Sequence, residues 1–335
     1  MTTIYEVAAH AGVSPATVSR VLNGNRAVNG AMAERVRTSI DELGYRPSQV
    51  ARSLRTQRSR TIAVIVPDIE NPFFTSVVRG TEDEGRGAGL MTVVCNTDND
   101  VERERGYLRL AVDQRMDGVI LATDQHDLGE FMTTRGPAVT TVLIDRELDS
   151  LRLDAVLVDN VLGAKEATRH LIESGAHRVA CITGPANVTT ATQRLQGYQE
   201  AMREAGIRRD RSLVRHADYH SAGGRSAMAE LMAAGRPDGV LVCNNMMTMG
   251  ALQELSDQGV AVPGDLLLVG FDDEPWAPYW QPPVTTVAQP ARDVGRSAIR
   301  LLLDRIADAD GAPRRIMLLP SLQVRASSQH PRQRR

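Results

Sequence analysis

The chain has 335 residues, of which 42% are hydrophobic and 24% are charged, and its net charge is −2. This length exceeds one ordinary hydrophobic core and therefore predicts two or three domains. No apolar run approaches the roughly 20 residues that a membrane helix needs, and the start has no apolar secretory signal, so a cytoplasmic protein is expected.

Charge is unevenly distributed along the chain. Residues 1–60 contain nine arginines and four acidic residues, a net charge of +5, which leaves −7 for the remainder. This asymmetry predicts that the small basic segment contacts a polyanion. Arginine enrichment alone is a weak signal, because Lys165 is the only lysine in the chain. Cys95, Cys181 and Cys243 lack CxxC spacing, so we expect reduced and mostly buried thiols.

Three short helices are predicted in the first 45 residues. Thr3 and Glu6 have the spacing of a capping box, and the helix that they begin ends near Gly12. Ser14 followed by Pro15 marks the start of a second helix, and Asn29 can cap a third helix. The residues expected to face inward are Val18, Val21, Leu22, Val36, Ile40 and Leu43.

Two short helices joined by a tight turn, followed by a third, predict a helix-turn-helix. The second helix exposes Ala16, Thr17 and Arg20 on the face opposite its apolar stripe. Arg20 could donate two hydrogen bonds to a guanine edge, while Ala16 or Pro15 could contact a thymine methyl group. The alternative that the pattern leaves open is a three-helix bundle that binds protein.

The stretch after Tyr45 predicts one more short helix, capped by Ser48. Val50 and Leu54 would share one face of this helix between arginines. An apolar wedge between arginines suits intercalation into a DNA minor groove. A plain linker is the alternative.

The N-terminal sequence resembles that of the LacI/GalR family of transcription regulators. The matching runs are Ala11–Ser14, Ala16–Asn23, Leu43–Pro47 and Val50–Leu54. The resemblance implies that a hinge helix pairs with its dimer mate and inserts Leu54 into the centre of an operator. It also implies that Pro15 and Ala16 choose the operator. The predicted DNA-binding residues are Thr3, Ser14, Pro15, Ala16, Thr17, Ser19, Arg20, Asn23, Arg26, Tyr45, Val50, Ala51, Leu54 and Arg55.

Residues 61–328 alternate between apolar runs and amphipathic helix patterns. The predicted strands are 61–66, 91–95, 118–121, 139–144, 156–158, 178–183, 239–243 and 266–269. The predicted helices are 74–87, 102–115, 163–174, 191–205, 222–233 and 247–258. Alternating βα units predict parallel sheets with helices on both faces, and this number of strands suits two doubly wound sheets better than one.

Polar and aromatic side chains follow many of these strands. Ligands of such sheets bind beyond the carboxyl ends of the strands. Carboxylates, amides, an arginine and aromatic faces are what a neutral polyhydroxylated ligand requires, so the sequence predicts a sugar-like ligand. The alternative is that these residues only cap helices, which we prefer for Asp98, Thr123 and Asp159.

This second region resembles the regulatory core of the same family, which shares the fold of periplasmic sugar-binding proteins. The resemblance implies an effector between two lobes, with Tyr219 as an aromatic wall. The predicted effector-binding residues are Phe73, Phe74, Asp145, Thr190, Arg194, Tyr219, Asn244, Asp272 and Trp276. Asn245 replaces a more usual aspartate. Val188 stands where purine-responsive members carry an arginine, which weighs against a purine.

Other chemistry is poorly supported. Gly85, Gly87 and Gly89 precede a strand and have the wrong spacing for a dinucleotide loop. His216 and His220 would lie four apart only on a helix, and no catalytic motif appears, so neither a metal, a cofactor nor an enzyme is predicted. A solute-binding protein would lack the helix-turn-helix. A homodimer or a dimer of dimers on double-stranded operator DNA is expected, whereas the effector's identity and the operator are not specified.

The predicted organisation has a helix-turn-helix domain, a hinge, a core and a tail. These occupy residues 1–47, 48–60, 61–328 and 329–335, with lobe 1 at about 61–160 and 291–320 and lobe 2 at about 161–290 and 321–328.

Overall fold

A computed structural model describes residues 2–22, 28–45, 59–125, 128, 131–133, 136–146, 148, 152–208, 210–308 and 310–329. The chain separates into residues 1–59 and residues 60–335. Within the described ranges, no helix is both long and apolar enough to cross a membrane.

The described part of residues 1–59 contains α1 (Ile4–Ala11), α2 (Pro15–Leu22) and α3 (Gly30–Glu42). Thr3 and Glu6 form the predicted capping box, and Gly12 ends α1 with a φ of 65°. The Ser14 hydroxyl accepts a hydrogen bond from the Thr17 amide at 3.2 Å, and Asn29 caps α3. The buried residues of this small core are Val7, Ala8, Ala11, Val18 and Val36. The predicted helix-turn-helix is confirmed.

Residues 60–335 contain fourteen strands in the described ranges. They are β1 (Thr61–Val66), β2 (Met91–Asn96), β3 (Gly118–Leu121), β4 (Met132–Thr133), β5 (Gly136–Pro137), β6 (Thr141–Ile144), β7 (Asp154–Val158), β8 (Val179–Thr183), β9 (Val214–His216), β10 (Gly239–Val242), β11 (Leu267–Phe271), β12 (Thr285–Ala288), β13 (Arg315–Leu318) and β14 (Ser321–Gln323). The helices are α4 (Pro72–Gly87), α5 (Val101–Asp113), α6 (Asn160–Glu173), α7 (Thr189–Glu204), α8 (Ser221–Ala233), α9 (Asn245–Asp257) and α10 (Ala291–Ala307).

Two sheets of six strands each define two lobes. Lobe 1 has the order β13-β7-β6-β3-β1-β2, and lobe 2 has the order β14-β12-β11-β10-β8-β9. All pairs within these sheets are parallel except β12 with β14. The chain crosses between the lobes around residue 159, at residues 289–290 and at residues 319–320. The predicted fold class is confirmed: a helix-turn-helix is followed in the chain by two lobes, each built on a largely parallel sheet.

Both faces of the lobe 1 sheet are covered. Along β1, Ile62, Val64 and Val66 pack into one apolar cluster, and Ala63 and Ile65 pack into another on the opposite face. This explains why the strand appears in the sequence as a continuous apolar run instead of an alternating one.

The helices α4 and α10 pack closely on one side of lobe 1, and glycines allow the contact. A Cβ on Gly80 would lie 2.1 Å from the Arg292 carbonyl oxygen, and one on Gly295 would lie 2.0 Å from that of Val77. Helix α10 was absent from the predicted elements, as were β4, β5, β9, β12, β13 and β14.

The three cysteines are free and buried, as predicted.

Candidate functional site

The surface of α2 presents small and basic side chains. Ala16 and Arg20 are exposed on the side of the helix opposite the fully buried Val18. Thr17 Oγ1 lies 3.0 Å from Ser14 Oγ, so these two hydroxyls hold each other at the start of α2. This arrangement leaves the Arg20 guanidinium accessible beside an uncrowded helix surface, which is what insertion into a groove requires.

The other predicted DNA-binding residues divide into two groups. Thr3 caps α1, and Ser19 and Pro15 are partly buried on α2. Tyr45 packs against the small helical core, so at least part of its ring serves the fold. The remaining predictions lie outside the described residues and stay predictions: Asn23, Arg26, Val50, Ala51, Leu54 and Arg55.

A cleft lies between the two lobes at the carboxyl ends of their strands, and both lobes line it. Its free space, including the open mouth, is about 500 Å³. The described lining residues are Pro67, Asp68, Asn71, Phe73, Phe74, Asn99, Asp145, Arg146, Thr190, Arg194, Asp218, Tyr219, His220, Asn244, Asp272 and Gln289. Eight of the nine predicted effector-binding residues are therefore brought together here. Trp276 is not among the described lining residues.

Trp276 packs against other residues of lobe 2. It is partly buried against the apolar core of lobe 2, and its ring contacts Trp280 edge-on with centroids 6.0 Å apart. Its sequence proximity to Asp272 predicts a cleft position, whereas its described contacts are with the lobe 2 core and Trp280. Its role in effector binding therefore stays a prediction without a described cleft contact.

Three cleft residues adopt left-handed backbone conformations. The φ angles of Asp145, Tyr219 and Asp272 are 64°, 68° and 72°. Residues other than glycine rarely adopt this conformation, least of all bulky ones, and its cost is commonly found at functional sites. Asp145 directly follows β6 and Asp272 directly follows β11, so the two lobes turn an aspartate into the cleft in the same way.

Arg194 is held by lobe 2 in a fixed orientation. Its Nε donates to Asn160 Oδ1 at 2.8 Å, and its Nη1 donates to the Cys243 carbonyl at 2.7 Å. The guanidinium carbon lies 3.9 Å from the centroid of the Phe271 ring. These contacts preorganise the guanidinium before any ligand arrives, which lowers the entropic cost of binding.

Arg146 is engaged within lobe 1. Its Nη1 donates to Asp124 Oδ2 at 2.5 Å and to Asn99 Oδ1 at 3.4 Å. Its Nε lies 3.6 Å from Asp145 Oδ2. The Arg146 and Asp124 side chains are largely buried, so a large part of this cation's charge is already balanced.

Two buried carboxylates face each other across the cleft. Burial raises the pKa of Asp145, although Arg146 and Arg194 partly oppose the shift. Burial also raises the pKa of Asp272, which Arg194 and a hydrogen bond from Gln289 partly oppose. Both acids therefore lack the hydration that an exposed carboxylate would have, and hydroxyl donors from a ligand would replace it.

Aromatic side chains complete the walls. The Phe73 and Phe74 rings meet edge to face with centroids 5.1 Å apart. The Tyr219 hydroxyl lies 3.1 Å from Thr190 Oγ1, and burial raises the pKa of Tyr219 to about 12. Gly184 makes room for this ring, because a Cβ there would lie 2.2 Å from Tyr219 Cζ.

The cleft contains polar residues that the predicted set lacked. The most informative is Gln289, whose Nε2 donates to Asp272 Oδ1 at 2.5 Å and whose buried Oε1 accepts no hydrogen bond from a described residue. Asn71, Asn99 and Arg146 also line the cleft. Arg146 could have been included because it follows Asp145 at a predicted strand end. Gln289 follows β12, a strand that was not predicted.

The helix-capping alternative holds at one of its three positions. Asp159 caps α6 by accepting from the Leu162 amide at 2.9 Å. Asp100, not Asp98, caps α5. The Thr123 hydroxyl instead donates to the buried Glu104 at 2.8 Å.

No metal arrangement is found in the part of the chain that the structure describes. There, no group of three or more His, Cys, Asp or Glu side chains is placed to hold a metal ion. His216 uses Nδ1 in a 2.9 Å contact with the Gly184 carbonyl oxygen.

Two family models match the chain. The model for bacterial regulatory proteins of the lacI family matches residues 3–48, and the periplasmic binding protein-like domain matches residues 168–328. The ribose operon repressor of Escherichia coli (strain K12) is 36% identical over 98% of this chain and 100% of its own length. The repressor PurR of Aliivibrio fischeri (strain MJ11) is 34% identical over 98% of both chains.

Solved structures show the same similarity. A complex of the transcriptional regulator CelR with cellobiose is 34% identical, with a TM-score of 0.71 over 98% of this chain and all of that one. The lac repressor dimer bound to operator and an anti-inducer is 25% identical, with a TM-score of 0.87 over 98% of this chain and 99% of that one.

Proposed function

Because the chain belongs to the LacI family of bacterial regulatory proteins, we propose that a neutral monosaccharide in the interlobe cleft controls its hold on operator DNA. The chain is a sequence-specific DNA-binding transcriptional regulator with a helix-turn-helix and a two-lobe core. The observation that supports this ligand is the charge and geometry of the cleft, in which two buried aspartates face a fixed arginine between aromatic walls.

The charge of the cleft disfavours an anionic ligand. Its described lining includes four carboxylates and two guanidinium groups. One of those guanidinium groups, on Arg146, is already paired with the buried Asp124. A phosphorylated or acidic sugar would bring further negative charge beside Asp145 and Asp272, whose burial already penalises charge. Like charges at short range destabilise a complex, so a neutral ligand is favoured.

The hydrogen-bonding groups match a ring that carries several hydroxyls. Asp145 and Asp272 would accept from hydroxyl groups, and the Nη2 group of Arg194 would donate to a ring or hydroxyl oxygen. The buried Oε1 of Gln289 is a further acceptor. Phe73, Phe74 and Tyr219 would cover the C–H faces of the ring. Without such a ligand several of these polar groups are buried at a cost.

The size of the cleft favours one ring over two. Its free space of about 500 Å³ includes the open mouth and the gaps between the lining atoms, so the room left for a ligand is smaller than this figure. The lobes also contact each other at one end of the cleft, through Asn71 and Asn245. Cellobiose, named with the similar CelR, would need more room than ribose, named with the similar repressor of Escherichia coli.

A purine is the second candidate, because several similar repressors are named PurR. The side chain at the start of α7 argues against it. Val188 is 4% exposed and offers no hydrogen-bonding group to a base. The carboxylates of the cleft are also poorly matched to the acceptor nitrogens of a purine ring.

Operator DNA lies in the cytoplasm, so this protein would act there. It would bind the operator as a homodimer. One helix-turn-helix contacts only a few base pairs, so a two-fold pair of them on a near-palindromic site is the expected arrangement. A purified protein that stayed monomeric and showed no salt-dependent binding to any DNA would contradict this part of the proposal.

The ligand is tested by a thermal-shift panel on the full-length protein. It should contain D-ribose, D-glucose, cellobiose, ribose 5-phosphate and purine bases. A ligand at 100 times its dissociation constant adds about 2.7 kcal/mol to the free energy of unfolding. We expect stabilisation by a neutral monosaccharide and none by the phosphate ester. Stabilisation by a purine base or by ribose 5-phosphate alone would contradict the proposal.

A matched variant identifies the site. Asp145→Asn should abolish the stabilisation by the same monosaccharide, because the cleft loses a charged acceptor. Asp210→Asn is the control, since that exposed carboxylate only caps a short turn before β9. Equal responses of the two variants would place the ligand elsewhere.

A further inference from the structure

A buried chain of polar side chains joins the two lobes beside the cleft. Asn245 Nδ2, at the start of α9 in lobe 2, donates to Asn71 Oδ1 of lobe 1 at 3.0 Å. The same nitrogen donates to Glu274 Oε1 of lobe 2 at 3.0 Å. Asn245 is 1% exposed, and Asn71 and Glu274 are 8% exposed. We call these three residues the interlobe latch.

The orientation of the Asn245 amide is fixed by its surroundings. Its Oδ1 accepts from Asn244 Nδ2 at 3.0 Å and from the Met246 amide at 2.7 Å. The Nδ2 group must therefore face the two acceptors, and its two hydrogens suffice for one bond each. Asn71 Oδ1 also accepts from the Phe73 amide as the cap of α4. A glutamate in lobe 2 thus aims an amide at the capping residue of a helix in lobe 1.

Glu274 is a buried carboxylate surrounded by other acids. Burial raises the pKa of Glu274 to about 7, the hydrogen bond from Asn245 opposes this, and the charges of Asp272 and Asp273 add to it. The cations nearest those two acids are already engaged, since Arg194 faces Asp272 and Arg325 pairs with Asp273. From lobe 1, the uncharged Asn71 contacts Asn245, and the charge of Asp145 acts on Asp272.

We propose that Glu274 is a positioning residue that holds the Asn245 amide against Asn71, so that the interlobe latch stabilises the closed lobes and makes closure proton-dependent. Opening the lobes separates Asn245 from Asn71 and admits water to Glu274. A hydrated glutamate returns toward its ordinary pKa of about 4.3. The closed arrangement then binds a proton more tightly than the open arrangement, so closure is favoured as the pH falls through about 7.

The latch itself needs no ligand, whereas its effect on ligand binding rests on the proposed function. Any ligand that requires closed lobes binds with uptake of a proton in this range. With Glu274 near 7 in the closed state and near its ordinary value in the open state, affinity should be about tenfold higher at pH 6 than at pH 8.

The first experiment measures the latch in the sugar-free protein. The chain has two tryptophans, Trp276 and Trp280, and Trp276 lies in the turn in which the Ala277 amide donates to the Glu274 carbonyl. Tryptophan fluorescence of the full-length protein is followed from pH 5.5 to 8.5. We expect a transition near pH 7 that Glu274→Gln removes. Persistence of the transition in Glu274→Gln would overturn the proposal.

Two further variants separate the latch from general structural effects. Glu104→Gln removes another buried glutamate of raised pKa, in lobe 1 and hydrogen-bonded to Thr123, and should leave the transition unchanged. Asn71→Ser keeps a side chain that can cap α4 but is too short to reach Asn245. It should lower the midpoint by at least one pH unit, because the opened lobes hydrate Glu274. An unchanged midpoint in Asn71→Ser would show that Glu274 titrates independently of the lobes.

The second experiment adds D-ribose as the probe and measures its affinity by titration calorimetry at pH 6 and pH 8. The wild type should bind about tenfold more tightly at pH 6, and Glu274→Gln should lose this difference. Equal pH dependence in both proteins would overturn the coupling. No binding of D-ribose at either pH, with the fluorescence results as expected, would reject the proposed ligand and leave the latch supported.

Discussion

Replacing Asp272 with asparagine should weaken ligand binding and at the same time stabilise the ligand-free protein. Asp272 is 5% exposed, and its φ of 72° lies in the left-handed region. Alanine would be strained there, whereas asparagine tolerates this conformation. The Asp272→Asn variant therefore changes charge and hydrogen bonding with little change in the backbone.

The loss of ligand affinity follows from the acceptors that are removed. The asparagine keeps one acceptor oxygen but loses the charge and the second oxygen. Hydrogen bonds to charged groups contribute about 1.5–3 kcal/mol each. We expect a loss of about 2–4 kcal/mol, which is roughly 30- to 700-fold in the dissociation constant.

The stabilisation follows from the sign of the pKa shift. Burial raises the pKa of Asp272 above its ordinary value. At neutral pH the folded protein therefore carries a buried charge that the unfolded chain would carry in water at lower cost. Asparagine removes this penalty, so the melting temperature of the ligand-free protein should rise.

Asp273 provides the matched control, because its pKa is shifted in the opposite direction. Burial alone would raise the pKa of Asp273, but hydrogen bonds from Arg325 and Thr286 hold it below its ordinary value. Asp273 meets Arg325 through two contacts of 2.6 and 2.9 Å. Asp273→Asn should lower the free energy of unfolding by about 1–2 kcal/mol at neutral pH, discounted for partial exposure.

Ligand titration and thermal unfolding of both variants complete the test. Asp273→Asn should bind the ligand within threefold of the wild type, while Asp272→Asn should lose most of its affinity. A melting temperature that fell in Asp272→Asn would contradict the argument from buried charge. Unchanged affinity in that variant would remove Asp272 from the site.

Three further predictions concern the cleft wall, the DNA surface and the core of lobe 1. Gly184→Ala should weaken ligand binding at least tenfold, because its Cβ would displace the Tyr219 ring; calorimetry showing unchanged affinity would refute this. Arg20→Ala should cost about 1–3 kcal/mol at the operator and less on random DNA, and equal losses in a gel-shift titration would assign Arg20 to a phosphate. Asp154→Asn should cost about 1–3 kcal/mol of stability, because it removes the carboxylate from the pair with Arg305, whose side chain is partly exposed. Asp154 has a lowered pKa, so the difference in urea unfolding should shrink as the pH falls through that pKa, and a constant difference would contradict this.

The parts of the fold that could be predicted are those with local causes. The caps at Thr3, Ser14 and Asn29 depend on side chains within three residues of the amides that they bind. The placement of Asp145 and Asp272 followed from one general rule, because the carboxyl ends of parallel strands converge at one edge of each sheet.

Most of the parts that were missed depend on contacts distant in sequence. Strands β13 and β14 are three or four residues long and lie at the edges of their sheets, where a period of two is hard to detect. Gln289 reaches Asp272 only because β12 lies beside β11. Strands β4 and β5 and helix α10 are exceptions. The two strands are close in sequence and pair with each other. In α10, Val294, Ala298 and Leu302 recur every four residues and would have indicated an amphipathic helix.

The segments that connect the lobes are also the ones that position the ligand-binding groups. Asn160 directly follows the first crossing and accepts from Arg194, and Gln289 lies in the second crossing and donates to Asp272. A ligand that bonds to Arg194 and Asp272 therefore acts on side chains tied to the connections between the lobes. A ligand can shift a conformational equilibrium only as far as it binds one state more tightly than the other. Here the states that these contacts can distinguish are different relative arrangements of the two lobes. The Tyr219 hydroxyl instead lies 3.1 Å from Thr190, which is not in a connection between the lobes, so a ligand contact with Tyr219 can contribute to affinity without this preference.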